Sequence, residues 1–276
     1  MQQYSRSDLT FDVTDSGSAR HGTVVLLHGF PQTSHSWRKV TPLLNDAGYR
    51  TVAPDQRGYS PGARPDGRAA YRASELVEDA AELIIQLGTG PVHLVGHDWG
   101  AAVAWAMAAS RPDLVRTLTS VSVPHPGAFV KSFLHSDQLL RSWYMAAFQP
   151  PLVPDFVLSR FPGLFDDVLR RTGMDDEQLA DVHRDVLEAG ALTGALNWYR
   201  AMALNTPPAL ARRVAVPVTH VWGAHDAALS RRGAELAADF AIADFDLQIL
   251  PDSGHWIPEH DAPALAELIL ARAHGN

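Results

Sequence analysis

The sequence predicts an α/β protein, a mostly parallel sheet flanked by helices with one helical insertion, and three observations carry that prediction. Aliphatic strand-like runs alternate with helix-period stretches through the first half of the chain and return near its end, the pattern of βαβ units. Between these halves the alternation stops over residues 126–212, which become helix-like, aromatic and punctuated by proline. At 276 residues, 46% of them hydrophobic, the chain can bury one large core, within the span of one α/β domain carrying an excursion.

The elements follow in order. LTFDV (9–13) alternates and reads as an edge strand, and TVVLLHG (23–29) as a buried strand ending in His-Gly. Residues 37–45 read as a helix closed by Gly48, and YRTVAPD (49–55) as the next strand. SELVEDAAELIIQLG (74–88) is amphipathic with Ser74 as its N-cap. PVHLVGH (91–97) is strand, 98–110 helix and VRTLTSVSV (115–123) strand. After the insertion come strand 217–223, helix 230–240, strand 245–250 and a last helix over 262–273. The expected organisation is a core formed by 1–125 and 213–276, with 126–212 as a helical lid over the C-terminal ends of the strands, where ligands bind in such sheets.

Composition excludes several classes. A net charge of -8, with no Lys/Arg cluster longer than a pair, argues against nucleic acid as a partner. The absence of cysteine removes disulfides, thiolate nucleophiles and Cys-based metal sites. MQQYSRSDLTFDV lacks the apolar segment of a secretory signal and no long uncharged apolar run occurs, so the expectation is a cytoplasmic protein without membrane attachment.

Gly96-His97-Asp98-Trp99-Gly100 lies between a strand and a helix. That is the setting of a nucleophile elbow, where a strained residue presents its side chain and small neighbours permit a tight crossing. Aspartate stands where serine is common; the other reading is a glycine-flanked turn with Asp98 as an N-cap. His28-Gly29-Phe30-Pro31 ends an earlier strand and, with the elbow, makes the Phe30 and Trp99 amides the candidate oxyanion hole. His255 in DSGHWIP follows the last strand and is the candidate base. His93, His97 and His220 fall in or beside strands and read as structural. Asp226 in VWGAHDAAL is the candidate orienting acid, Asp252 its fallback, and helix capping its alternative role.

HGFP, GHDWGA, WGAHD and SGHW, in this order, resemble the α/β-hydrolase fold over essentially the whole chain, and the aspartate elbow is similar to its epoxide hydrolase and haloalkane dehalogenase branches. Asn197-Trp198-Tyr199-Arg200 and the segment from Trp143 to Pro150 resemble the lid segments in which soluble epoxide hydrolases carry two ring-opening tyrosines. The resemblance places Tyr199 and Tyr144 in those roles, with Tyr144 in the more divergent context; either is otherwise a half-buried lid aromatic. DQRGY (55–59) resembles a family motif and reads as structural.

The resemblance implies hydrolysis of a small apolar epoxide to a vicinal diol with water alone, without metal or organic cofactor, by a monomer or homodimer. An aspartate is ionised at neutral pH and suits attack on saturated carbon. His255, oriented by Asp226, would then direct water at the resulting ester. Phe30, Trp99, Phe148 and Trp198 are expected to line the pocket. Haloalkane dehalogenation is the enzymatic alternative, kept open by Trp99 directly after the nucleophile. Against it, the chain lacks both the Asn that some dehalogenases carry after the first loop's His-Gly and the Arg that fluoroacetate dehalogenases carry after the aspartate. A non-catalytic small-ligand receptor on the same fold is the third reading.

Overall fold

The computed structural model describes residues 1–204 and 211–275. Eight strands, β1 (Gln3–Arg6), β2 (Leu9–Ser16), β3 (Thr23–Leu27), β4 (Arg50–Pro54), β5 (Val92–His97), β6 (Val115–Val121), β7 (Val218–Gly223) and β8 (Phe245–Leu250), form one sheet. Their order is β1-β2-β4-β3-β5-β6-β7-β8. The pairs β1–β2 and β2–β4 are antiparallel and every other pair is parallel.

Alternation along β3 shows how the sheet buries both faces. Val24 and Leu26 pack with Val40 and Leu44 of α1 (Val40–Asp46) and with Leu265 and Ile269 of the C-terminal helix Ala262–His274. Val25 and Leu27 pack on the other face with Leu76, Ala80 and Leu83 of α2 (Ala73–Leu87) and with Val103 and Met107 of α3 (Trp99–Ser110). Continuous aliphatic runs are what a parallel sheet covered on both sides requires. The DQRGY segment contributes a buried ion pair, Arg57 Nε to Asp79 Oδ2 at 2.6 Å, that ties the loop after β4 to α2.

Four local expectations need correction. LTFDV is not an edge, because β1 pairs outside it; QYSR is too short and polar to signal a strand by itself. Ser74 is not the N-cap of α2: Arg72, extended at ψ 149°, precedes a helix that begins at Ala73, and Ser74 sits in the first turn. The stretch 37–45 divides into a 3₁₀ turn, Ser34–Trp37, and α1. The stretch 230–240 divides into the helix Arg231–Leu236, capped by Ser230, and a 3₁₀ turn.

Between β6 and β7 the described residues contain no strand. The helices there are α4 (Pro126–Ser132), α5 (Gln138–Arg141), α6 (Trp143–Ala147), α7 (Val153–Arg160), α8 (Pro162–Arg171), α9 (Asp176–Val182) and α10 (Leu192–Ala201). Residues 205–210 of the predicted lid lie outside the described residues. Among the described residues, no helix is long and apolar enough to cross a membrane.

Candidate active site

Asp98 stands between β5 and α3 with φ 52° and ψ -120°, a left-handed backbone that a non-glycine residue holds only when its surroundings enforce it. The tight crossing needs small residues. A Cβ on Gly100 would lie 2.1 Å from the Leu27 carbonyl oxygen, and one on Gly29 would lie 2.3 Å from Asp98 Cβ. Gly29 thereby lets the loop after β3 close on the carboxylate, and the Phe30 amide donates to Asp98 Oδ1 at 2.7 Å. Asp98 is buried, which opposes its charge, but the imidazole of His255 and the Trp99 amide hold its carboxyl below the usual carboxylate range. The start of α3 adds the positive end of a helix dipole at the same point.

His255, in the loop after β8, is buried with its ring between two acids. Nδ1 lies 2.9 Å from Asp226 Oδ2 and Nε2 lies 3.6 Å from Asp98 Oδ2, the second an ion-pair distance too long for a hydrogen bond. Burial lowers the pKa of an imidazole, but the Asp226 and Asp98 charges outweigh it and raise that of His255. Asp226 Oδ2 faces His255 while Oδ1 accepts from the loop amides of Ala228 and Leu229 at 2.8 Å each; it does not cap the following helix, whose N-cap is Ser230. Those amides fix the carboxylate, and the carboxylate assigns the Nδ1–H tautomer to His255. Asp252, the fallback, is exposed.

A cavity of about 230 Å³ opens above Asp98. Tyr144 of α6 and Tyr199 of α10 both line it with Asp98, and their ring centroids lie 6.0 Å apart. Burial and the Asp98 charge push both phenols up, so each is a neutral donor. α10 is pinned to the core by Trp198 Nε1, which donates to Arg57 O at 2.9 Å, and to the end of α6 by Gln149 Nε2, which donates to Tyr199 O at 3.0 Å. Arg200 adds a hydrogen bond to Phe148 O and an ion pair with Asp155.

Of the four residues expected to line the pocket, Trp99 does so. Phe30, Phe148 and Trp198 stand one layer back. Phe30 and Phe148 pack against the Tyr199 ring at 5.1 and 5.2 Å, and the Arg57 hydrogen bond turns the Trp198 indole into the core. The rest of the wall is built from other apolar side chains, notably Leu76, Ala102, Ala106, Phe129, Met145 and Met202. His125 also lines it, buried, its Nδ1 accepting from the Gly127 amide and its Nε2 bonding Arg212 O, so that it staples the two ends of the insertion. Sequence reasoning did not single out Gln149, Arg200 or His125. The Pro-His-Pro flanking of His125 was the available signal.

Residues 22–262 match the model of the alpha/beta hydrolase fold family. An AB hydrolase superfamily protein of Bacillus subtilis, YfhM, is 33% identical over 98% of this chain and 96% of its own. Epoxide hydrolase 3 of Xenopus tropicalis is 35% identical over 96% of this chain and 74% of its own length. The chain belongs to the epoxide hydrolases of the α/β-hydrolase fold family. Among solved structures, one described as a novel epoxide hydrolase from metagenomes of hot environments superposes on this member with a TM-score of 0.85. It has 29% identity and covers 97% of this chain and 96% of its own.

Proposed function

We propose that this protein hydrolyses an epoxide to a vicinal diol through an ester on Asp98. One observation carries the proposal: a buried, ionised carboxylate and two neutral phenols line the same apolar cavity. Asp98 Oδ1 rests on the Phe30 amide, which leaves Oδ2 to attack an epoxide carbon. The C–O bond breaks, and the departing oxygen takes a hydrogen bond from Tyr144 and Tyr199 and a proton from one of them. Esterification removes one of the two negative charges that raise the pKa of His255, so the imidazole releases its proton more readily in the alkyl-enzyme than in the free enzyme. Neutral His255 then takes a proton from water, whose oxygen attacks Cγ of Asp98 while the Phe30 and Trp99 amides hold the oxyanion. The tetrahedral adduct expels the diol alkoxide, which takes the proton held by His255, and the second water proton passes from Asp98 to the tyrosinate, regenerating the carboxylate and the phenol.

The Trp99 indole bears on the dehalogenase alternative. Its side chain hydrogen-bonds Tyr199, and its ring packs edge-on against Tyr199 and Trp198 at 5.2 and 5.7 Å. An N–H committed to a phenol serves epoxide opening better than halide capture. Changing both Tyr144 and Tyr199 to Phe tests the reading: turnover of aryl and alkyl epoxides should fall at least about 10²-fold. Retained epoxide turnover would remove the tyrosines' role in ring opening, and halide release from haloalkanes that survives the double change would favour the dehalogenase.

A further inference from the structure

Among the described residues, four non-glycine residues have a left-handed backbone: Ser7, Asp98, Ser122 and Leu152. Ser7 and Leu152 are exposed, while Asp98 and Ser122 are buried. The two buried ones end neighbouring parallel strands. His97 of β5 is in register with Val121 of β6, and the Asp98 amide donates to the Val121 carbonyl. One is the proposed nucleophile, so the second asks for its own explanation.

Ser122 is held from the opposite side by β7, where its amide donates to Val221 O at 2.8 Å. In that pose its hydroxyl donates to the backbone carbonyl of His255 at 2.9 Å. The same carbonyl lies 2.9 Å from His97 Nε2. A carbonyl only accepts, so His97 must be the Nε2–H tautomer, and its Nδ1 is left buried without a partner. Burial pushes His97 down to about 4, which keeps it neutral in that role. The loop that carries His255 belongs to no strand, and its imidazole is faced by Asp226, Asp98 and His97, with Trp256 packed edge-on at 4.8 Å. Two donors from the ends of two adjacent strands therefore fix the backbone of His255, which stands on a loop and not on a strand.

We propose that Ser122, with His97 as its second leg, is a positioning residue that clamps the His255 carbonyl so that the imidazole aims at the Asp98 ester. The inference rests on the ester reading of Asp98. It distinguishes the two halves of the reaction: Ser122 does not line the cavity and makes no hydrogen bond to the Asp98 carboxylate, so loss of the clamp disturbs hydrolysis and spares alkylation. A displacement of about 1 Å at a reacting group costs on the order of 100-fold in rate.

The test follows wild type, Ser122→Ala, Ser122→Gly, His97→Gln and His97→Phe through a single turnover, with the alkyl-enzyme measured by intact mass. Ser122→Ala should keep its alkylation rate, slow hydrolysis roughly 10- to 100-fold, accumulate ester and show kcat and KM falling together. Ser122→Gly relieves the backbone strain but also lacks the hydroxyl, so it should behave like Ser122→Ala and guards against a folding failure. His97→Gln, which keeps an N–H donor, should retain more hydrolysis than His97→Phe. Recovery of wild-type hydrolysis by Ser122→Gly would make the effect one of strain and overturn the clamp. So would equal slowing of both steps, or no slowing at all. If the wild type forms no ester, the Asp98 reading fails, and the clamp is judged on the acid limb of kcat against pH: an unshifted limb in Ser122→Ala overturns it.

Discussion

The sheet holds Asp98, His255 and Asp226 by polar contacts to backbone and to one another, at 2.7 Å from the Phe30 amide, 2.8 Å from the Ala228 and Leu229 amides and 2.9 Å between His255 and Asp226. Across the cavity, the insertion holds Tyr144 and Tyr199 by ring packing: Tyr199 meets Phe30, Phe148, Trp99 and Tyr144 at 5.1 to 6.0 Å. Hydrogen bonds fix direction as well as distance, whereas edge-to-face rings tolerate small rotations. On the proposed mechanism, the core half would hold one covalent geometry and the insertion half would follow the oxygen of differently shaped epoxides.

That contrast breaks most severely at the nucleophile. Asp98→Ala should remove turnover by at least about 10⁴-fold, because no other group can form the intermediate; steady-state diol formation measures it. Next, His255→Gln should form one equivalent of ester and then stall, with steady-state turnover reduced roughly 10²- to 10⁴-fold. A His255→Gln variant that turns over normally would remove the hydrolytic role of the core half. On the insertion side, Trp198→Phe leaves the Arg57 carbonyl without its donor and should cost about 1–3 kcal/mol of stability in denaturant titration. Its effect should fall on KM and regioselectivity more than on kcat.

The smallest effect is on acid stability. His93, His97, His125 and His220 are each pushed down to about 4, chiefly by burial. An unfolded histidine titrates near ~6.5, so between those values the unfolded chain takes up protons that the folded chain refuses, and stability falls as pH falls through that window. Glu259, pushed up to about 7 by burial, acts oppositely: its contribution is lost as pH rises toward 7. Four depressed histidines against Glu259 and His255, whose pKa its two acids raise, predict a Tm that drops from pH 6.5 to 4.5. A flat or rising Tm would contradict the buried neutral histidines.

The two regions were also unequally legible. The elbow is written in five adjacent letters, because a strained turn with close backbone crossings demands glycine at fixed positions, and the parallel strands announce themselves as unbroken aliphatic runs. The family resemblance anticipated the α/β-hydrolase fold and the epoxide hydrolases, which the family model and relatives bear out. Tyr144 and Tyr199 were legible only through resemblance, since their approach depends on how short helices pack. The pocket wall was misjudged at Phe30, Phe148 and Trp198 because aromatic character does not reveal which way a ring turns, and Trp198 turns to satisfy a backbone carbonyl. Ser122 was invisible: nothing in VSVPHP states that its backbone is left-handed or that its hydroxyl meets a loop 133 positions away.

The central claim, a covalent ester on the Asp98 carboxylate, is tested most directly by a single turnover with enzyme in excess in oxygen-18 water, followed by mass spectrometry of the diol and of the peptide containing Asp98. Unlabelled diol with label in Asp98 is the predicted result, because water attacks Cγ and its oxygen stays on the enzyme. Label in the diol of that first turnover would mean direct attack of water on the epoxide and would contradict the account.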